Sequence, residues 1–295
     1  MSKINRREFS QLALAGAGAA LLPASELVAR VAAPVVPAMI NSTFRGVTIG
    51  AQSYSFRTLP LDAAIQGFAS VGIGLCELWS SHLQQRGPGG RGRPGGGRSG
   101  RGQGASNPEE MQRRRAARRE RQRQWRETVS LDEIEAVGKK FRDAGVEVYA
   151  LNYSFRDDYS EVEIERGFEM AKALGARVIT ASSNVTTARR IDPFAKKHKI
   201  RVGMHNHSRI EENEFATPAD FEKARQGMSE YIAINLDIGH FTAANFDAVD
   251  YIDKHHDDIV TLHIKDRKKD QGENLPFGQG DTPIKEVLAL LREKQ

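Results

Sequence analysis

A chain of 295 residues suffices for one α/β barrel or for two ordinary domains. Its net charge of +5 belongs to one segment, because thirteen arginines and four glutamates fall between Arg86 and Thr128. The remainder is mildly acidic, which excludes a uniformly basic folded body. The single cysteine, Cys76, lies in an apolar run and reads as core, so a disulfide framework and a thiolate metal cluster are excluded.

At the N-terminus, Asn5-Arg6-Arg7-Glu8-Phe9 precedes an uncharged Ala/Gly/Leu run from Leu12 to Leu22, with small residues around Ala24. This pattern resembles a twin-arginine export signal. The run is too short to span a bilayer as a stable helix. Residues 1–38 are therefore expected to be export signal and linker, implying a periplasmic or secreted protein.

Alternation from Val47 to Ser53 predicts the first strand, with Gln52 and Tyr54 reaching one end. Pro60 to Val71 predicts a helix with Leu61, Ala64, Ile65 and Phe68 on one stripe and Gly72 as its stop. Ile73 to Trp79 is the second strand and carries Glu77. An insertion at 84–128 follows. Its Gly/Arg-rich composition cannot bury a core, and disorder is expected. Residues 108–127 have helical composition but almost no apolar stripe, so a helix there would be solvated. Ser130 with Glu133, and Ser160 with Glu163, spell capping boxes for helices ending before Gly145 and Gly175. Val146–Leu151 and Arg177–Ala181 are strands three and four. A helix from Thr187 to His198 leads to the fifth strand, and Thr217-Pro218 opens the helix after it. Ile232–Asp237 is the sixth strand, Phe246–His255 a helix, Ile259–Lys265 the seventh strand, and Thr282-Pro283 opens a last helix through Leu291.

Strands that each precede a helix imply a parallel sheet. The expected fold is an α/β (β/α)₈ TIM barrel over residues 46–295, its eighth strand missing from this sequence. A Rossmann-like open sheet is the rival, but no Gly-rich phosphate turn follows the first strand.

The most informative stretch is Met204-His205-Asn206-His207-Ser208. Side chains two apart on a strand share a face, so His205 and His207 point one way and Val202 and Met204 the other. The sixth strand ends in Asp237, then His240; the seventh ends in His263, then Lys265. Three strands finishing in His and Asp on one side predict a metal site at a barrel mouth. Lys265 shares the parity of His263 and could hold a substrate hydroxyl or a developing oxyanion. Glu77 is costly to bury unpaired, so it is a proton-transfer carboxylate or half of a structural ion pair. Trp79 and His82 could wall a sugar pocket, and His207 faces the same site. His255 and His256 are expected at a helix end, and Asp266 and Arg267 in surface ion pairs.

Gly203-Met-His-Asn-His207, Leu236-Asp-Ile-Gly-His240, Leu262-His-Ile-Lys-Asp266 and Pro276-Phe-Gly-Gln-Gly280 follow one another on successive elements. In that order they resemble the xylose isomerase-like TIM barrels of sugar phosphate isomerases and epimerases, in a His-Asn-His branch. That superfamily also contains endonuclease IV. The resemblance implies one divalent metal (Mn, Zn, Co, Fe or Mg) on His205, Asp237 and His263, completed by a glutamate from the eighth strand. Where His205 stands, relatives more often carry a glutamate. It also implies that His240 touches substrate, and that a sugar or keto-sugar is isomerised or epimerised through an ene-diolate. Catalytic candidates are then Glu77, His240 and Lys265, and substrate-binding candidates Trp79, His82 and His207.

Three alternatives remain open. One is a lyase or hydratase acting on 3-keto-glycosides at the same metal site. Another is an endonuclease IV-like phosphodiesterase, whose further His and Glu ligands are not found between Val47 and Ser154. The third is a non-catalytic binding protein working through the Arg/Gly segment. That segment argues against nucleic acid, because Trp125 is its one aromatic and stacking needs interleaved rings. The expected partner is a small-molecule sugar. An acidic polymer or membrane surface is a candidate for the insertion, no membrane-spanning segment is expected in the mature protein, and a homo-oligomer is compatible with the pattern.

Overall fold

The computed structural model describes residues 38–84 and 107–294. The expected export signal and the Gly/Arg-rich run of the insertion lie outside the described residues. Seven strands form one parallel sheet in sequence order: β1 (Ala51–Gln52), β2 (Leu75–Trp79), β3 (Glu147–Asn152), β4 (Val178–Ala181), β5 (Arg201–His205), β6 (Ile232–Asp237) and β7 (Ile259–His263). The helices are α1 (Leu61–Val71), α2 (Pro108–Thr128), α3 (Leu131–Asp143), α4 (Glu161–Leu174), α5 (Thr187–His198), α6 (Pro218–Arg225), α7 (Ile238–Ala243), α8 (Ala248–His255) and α9 (Ile284–Glu293). Parallel strands covered on both faces become apolar throughout, and β4 and β6 are buried at every position. Phe68 of α1, Phe141 of α3, Phe168 of α4 and Ile191 of α5 belong to the core that covers the sheet.

The sheet curls. In a flat sheet β2 and β7 would lie roughly 24 Å apart, at about 4.8 Å per neighbour. Instead Glu77 on β2 and His263 on β7 are hydrogen-bonded at 2.6 Å, and the Tyr149 hydroxyl of β3 donates to the Val260 carbonyl of β7 at 2.8 Å. This is the TIM-barrel architecture with seven strands. Its interior is tight at β5: a Cβ on Gly203 would lie 2.7 Å from Val260 Cγ2, so only glycine admits this approach.

Local details depart from expectation for identifiable reasons. The first strand is split, because Arg45 and Gly46 adopt left-handed conformations and fold Thr43–Phe44 back on Val47–Thr48 as a hairpin. Only Ala51–Gln52 joins the main sheet. Ser130 caps α3 through the Asp132 N–H alone, whereas Ser160 and Glu163 form the full reciprocal box. The short helix α7 follows β6 directly, capped by Asp237 itself.

The largest correction concerns the insertion. Its second part is not disordered: Pro108–Thr128 forms the helix α2, opened by the Asn107 side chain and by proline at its first turn. Nor is it fully solvated. Charge fastens it where an apolar stripe would. Arg119 and Arg126, seven residues apart and so on one helix face, converge on the buried Glu163 of α4. Glu163 Oε1 accepts from Arg119 Nη1 at 2.8 Å and from Arg126 Nη2 at 2.7 Å, while Oε2 accepts from Arg119 Nη2 at 2.9 Å and from the Ser160 N–H at 3.0 Å. Both guanidinium groups also lie over the Tyr159 ring, at 4.8 and 4.4 Å. Burial alone would raise the Glu163 carboxyl, but these donors hold it down at about 2.

Removing Glu163 would leave Arg126 buried without its counter-charge. Glu163→Ala is expected to destabilise the protein by about 2–3 kcal/mol and to speed tryptic cleavage within α2. Chemical denaturation and timed proteolysis measure both; an unchanged cleavage rate would show that α2 is held by other contacts.

Candidate functional site

The carboxyl ends of β5, β6 and β7 lie side by side, with His205 opposite Asn235 and Asp237 opposite His263. This register brings His205, Asp237 and His263 together, one potential ligand atom from each lying within 4.8 Å of the others. His205 and Asp237 are buried. His205 Nδ1 is 3.4 Å from Ser182 Oγ, whereas the buried Nε2 has no hydrogen-bond partner and sits 3.5 Å from Asp237 Oδ2. A buried nitrogen without a partner is uncommon. Two imidazoles and one carboxylate around it suit a borderline divalent cation, so the residues fit the group that the sequence pattern implies.

The middle residue of His-Asn-His has its own task. Asn206 is fully buried and clamps the Asp237 peptide: its Oδ1 accepts the Asp237 N–H at 2.8 Å and its Nδ2 donates to the Asp237 carbonyl at 3.2 Å. The chain leaves β5 after His205, so strand parity no longer governs His207. That exposed ring nevertheless lies 5.1 Å from His205 and 5.5 Å from His240, centroid to centroid.

Glu77 faces the barrel interior with both oxygens engaged. Oε1 accepts from Gln52 Nε2 at 2.6 Å and from Thr180 Oγ1 at 2.5 Å, and Oε2 pairs with His263 Nε2 at 2.6 Å. Burial opposes its charge, yet attraction to His263 and these hydrogen bonds hold the carboxyl at about 2. Burial also works against a charged His263, but the Glu77 carboxylate prevails and raises its pKa. A carboxylate behind an imidazole orients the ring and raises its basicity.

On the other side of Asp237, Lys265 Nζ is 2.5 Å from Oδ2 and 3.0 Å from His240 Nε2. Arg267 Nη1 donates to His240 Nδ1 at 2.7 Å and to Ser208 Oγ at 2.9 Å. A guanidinium can only donate, so Nδ1 accepts. Burial, reinforced by Lys265, lowers His240 to about 3 even though Asp237 works the other way. Asp237 itself lies well below the usual carboxylate range: burial opposes this, while His205, His240 and Lys265 more than compensate.

Asp266 and Arg267 do not sit in surface ion pairs. Both are buried. Asp266 accepts backbone N–H groups from Gly278, Gln279, Gly280 and Thr282, which ties the loop before α9 to the end of β7. Trp79, the last residue of β2, and His82, in the 3-10 turn after it, form an edge-on aromatic pair at 5.5 Å, with Tyr54 5.0 Å from Trp79 and Ser53 Oγ bonded to both the Trp79 N–H and His82 Nδ1. Sequence reasoning missed Thr180, Asn206, Ser208 and Arg267. Only Asn206 carried a signal, as a polar residue out of phase with its two histidines.

The two neutral imidazoles set an acid limit. Burial and the charge of His263 outweigh Asp237 and lower His205 to about 4 from 6.5, and His240 is lowered to about 3. Both pKa values fall on folding, so their contribution is present above pH 6.5 and lost as pH falls towards 4 and then 3. Each costs up to about 1.4 kcal/mol per pH unit in that window. In chelator, the melting temperature is expected to fall steadily below pH 6.5, with a shallower slope for His205→Gln. A flat profile down to pH 4 would contradict these burial effects.

Comparison with known proteins agrees with this fold. Residues 114–295 match the family described as xylose isomerase-like TIM barrel. No curated protein matches the chain. Solved structures share its fold at low identity. A D-tagatose 3-epimerase-like protein superposes with a TM-score of 0.56 and 16% identity, over 84% of this chain and 87% of that one. The apo form of the 3-keto-D-glucoside 4-epimerase YcjR from E. coli gives 0.55 and 13%, over 84% and 88%. The IOLI protein, solved with a zinc atom, gives 0.56 and 13%, over 84% and 86%. By sequence and by architecture, the chain belongs to the xylose isomerase-like TIM barrel family.

Proposed function

We propose that this protein is a divalent-metal-dependent isomerase or epimerase of a sugar or keto-sugar. The observation that carries the proposal is the meeting of His205, Asp237 and His263 at one point, with the buried His205 Nε2 making no hydrogen bond. The similarity to epimerase structures and to a zinc-containing one supports it. Among the described residues one group of this kind forms, whereas a three-metal phosphodiesterase would need more ligands. A lyase or hydratase acting on 3-keto-glycosides would begin with the same proton removal and differ in its product. The leader pattern fits work in the periplasm or outside the cell.

When bound, a divalent ion would polarise a sugar carbonyl and so acidify the neighbouring C–H. The chain's residues do the rest. Glu77 holds the His263 ring, and Asn206 holds the Asp237 backbone. Lys265, hydrogen-bonded to Asp237 beside His240, can move a proton at the substrate as a general acid. The positive charge of Lys265 would stabilise an ene-diolate oxygen brought beside it. Tyr54, Trp79 and His82 offer ring faces for one side of a pyranose.

Metal content of the purified protein and exchange of substrate C–H with deuterated solvent test the proposal. His205→Ala and Asp237→Asn should each lower metal content at least tenfold and abolish exchange. Lys265→Gln should keep the metal and slow exchange by about 10²-fold. Full metal content in both ligand variants would sink the assignment.

A further inference from the structure

The arginines of α2 divide into two sets. Arg119 and Arg126 engage Glu163 and Tyr159, and Arg123 pairs with Glu120 and Glu127. Arg113, Arg115, Arg118 and Arg121 are exposed and have no ion pair or side-chain hydrogen bond among the described residues. Arg114 meets only Glu110, one turn earlier on the same exposed surface.

With 3.6 residues per turn, Arg114, Arg118 and Arg121 make one row turned away from the anchoring pair, and Arg113 and Arg115 flank it. Like charges at this spacing repel and weaken a helix, so nothing in folding accounts for the row. Its location is informative. Asp158 and Glu163, which hold Arg119, follow β3 in the chain. They therefore fasten α2 at the rim where the strands end, the side that holds His205, Asp237 and His263.

The chemistry of the row selects its occupant. A helix that lies in a membrane surface presents Trp, Phe or Leu. Here the only large exposed apolar side chain is Met111. Binding of single-stranded nucleic acid needs stacking rings, and Trp125, the one aromatic of α2, packs against the core. A linear chain of carboxylates or sulfates fits the row, because guanidinium forks bind such groups two oxygens at a time. We propose that Arg113, Arg114, Arg115, Arg118 and Arg121 form a docking surface for an acidic polysaccharide, held on the rim that leads to the site. The choice of a sugar polymer rests on the sugar chemistry proposed above.

Binding of the full chain to polygalacturonate, measured without turnover, tests this, with duplex DNA and phosphatidylglycerol vesicles as competitors. Affinity should fall at least tenfold when the five arginines are replaced by glutamine, and by a smaller factor, about threefold or more, when they are replaced by lysine, which keeps the charge and loses the fork. It should also weaken about tenfold or more between 50 and 200 mM salt. Asp237→Asn should bind the polymer like the parent, so a failure of the sugar chemistry shows separately from a failure of docking. Unchanged affinity of the glutamine variant, or tighter binding of DNA or vesicles than of polygalacturonate, would overturn the proposal.

Discussion

One hydrogen-bonded ion pair spans the barrel, between Glu77 on the second strand and His263 on the seventh. It joins strands that are remote in the sheet and so records the curl. Neither partner tolerates burial alone: a carboxylate in an apolar interior needs a counter-charge and donors for its remaining lone pairs. Gln52 and Thr180 supply those donors from the first and fourth strands. Strands one, two, four and seven thus contribute to a single polar knot beneath the cluster, and the ring of His263 is aimed by it.

The rest of the rim is built the same way, with charges satisfied inside the protein and an apolar shell outside the sheet. Asp266 gathers four backbone donors, Arg267 bridges His240 and Ser208, and Glu163 collects two arginines. Buried charges satisfied in this way are weak sources of net stability because desolvation offsets the attraction. Their effect here is geometric, since each one sets the direction of a loop or ring that apolar packing alone would leave undetermined.

Much of this was legible in the sequence. Capping residues and the change of period between strands and helices placed the repeating units within a few residues, because those signals act over one or two turns. The polar endings of β5, β6 and β7 were legible for a similar reason: period-two parity is local. What was not legible depends on partners far along the chain. Nothing near Arg119 announces Glu163, 44 residues later, so α2 read as solvated. Asp266 and Arg267 looked like surface charges because their partners arrive from loops and from His240. Glu77 was left open between base and ion pair, a choice that required knowing where His263 lies. The first strand was overextended because its Val47–Thr48 half pairs with Thr43–Phe44 in a hairpin and only Ala51–Gln52 joins the sheet.

The Asn206 clamp carries an implication for how this motif can vary. It needs an amide, with one end giving and the other receiving, at a fixed reach from the backbone of β6. An aspartate there would set a second negative charge against the peptide that carries Asp237 and would lose the donor to its carbonyl. Glutamine would overshoot by a methylene. Among the described residues, neither His205 nor His207 makes such a two-way side-chain contact with a neighbouring backbone, so the least reactive member of the triplet is the one with the fewest substitutes.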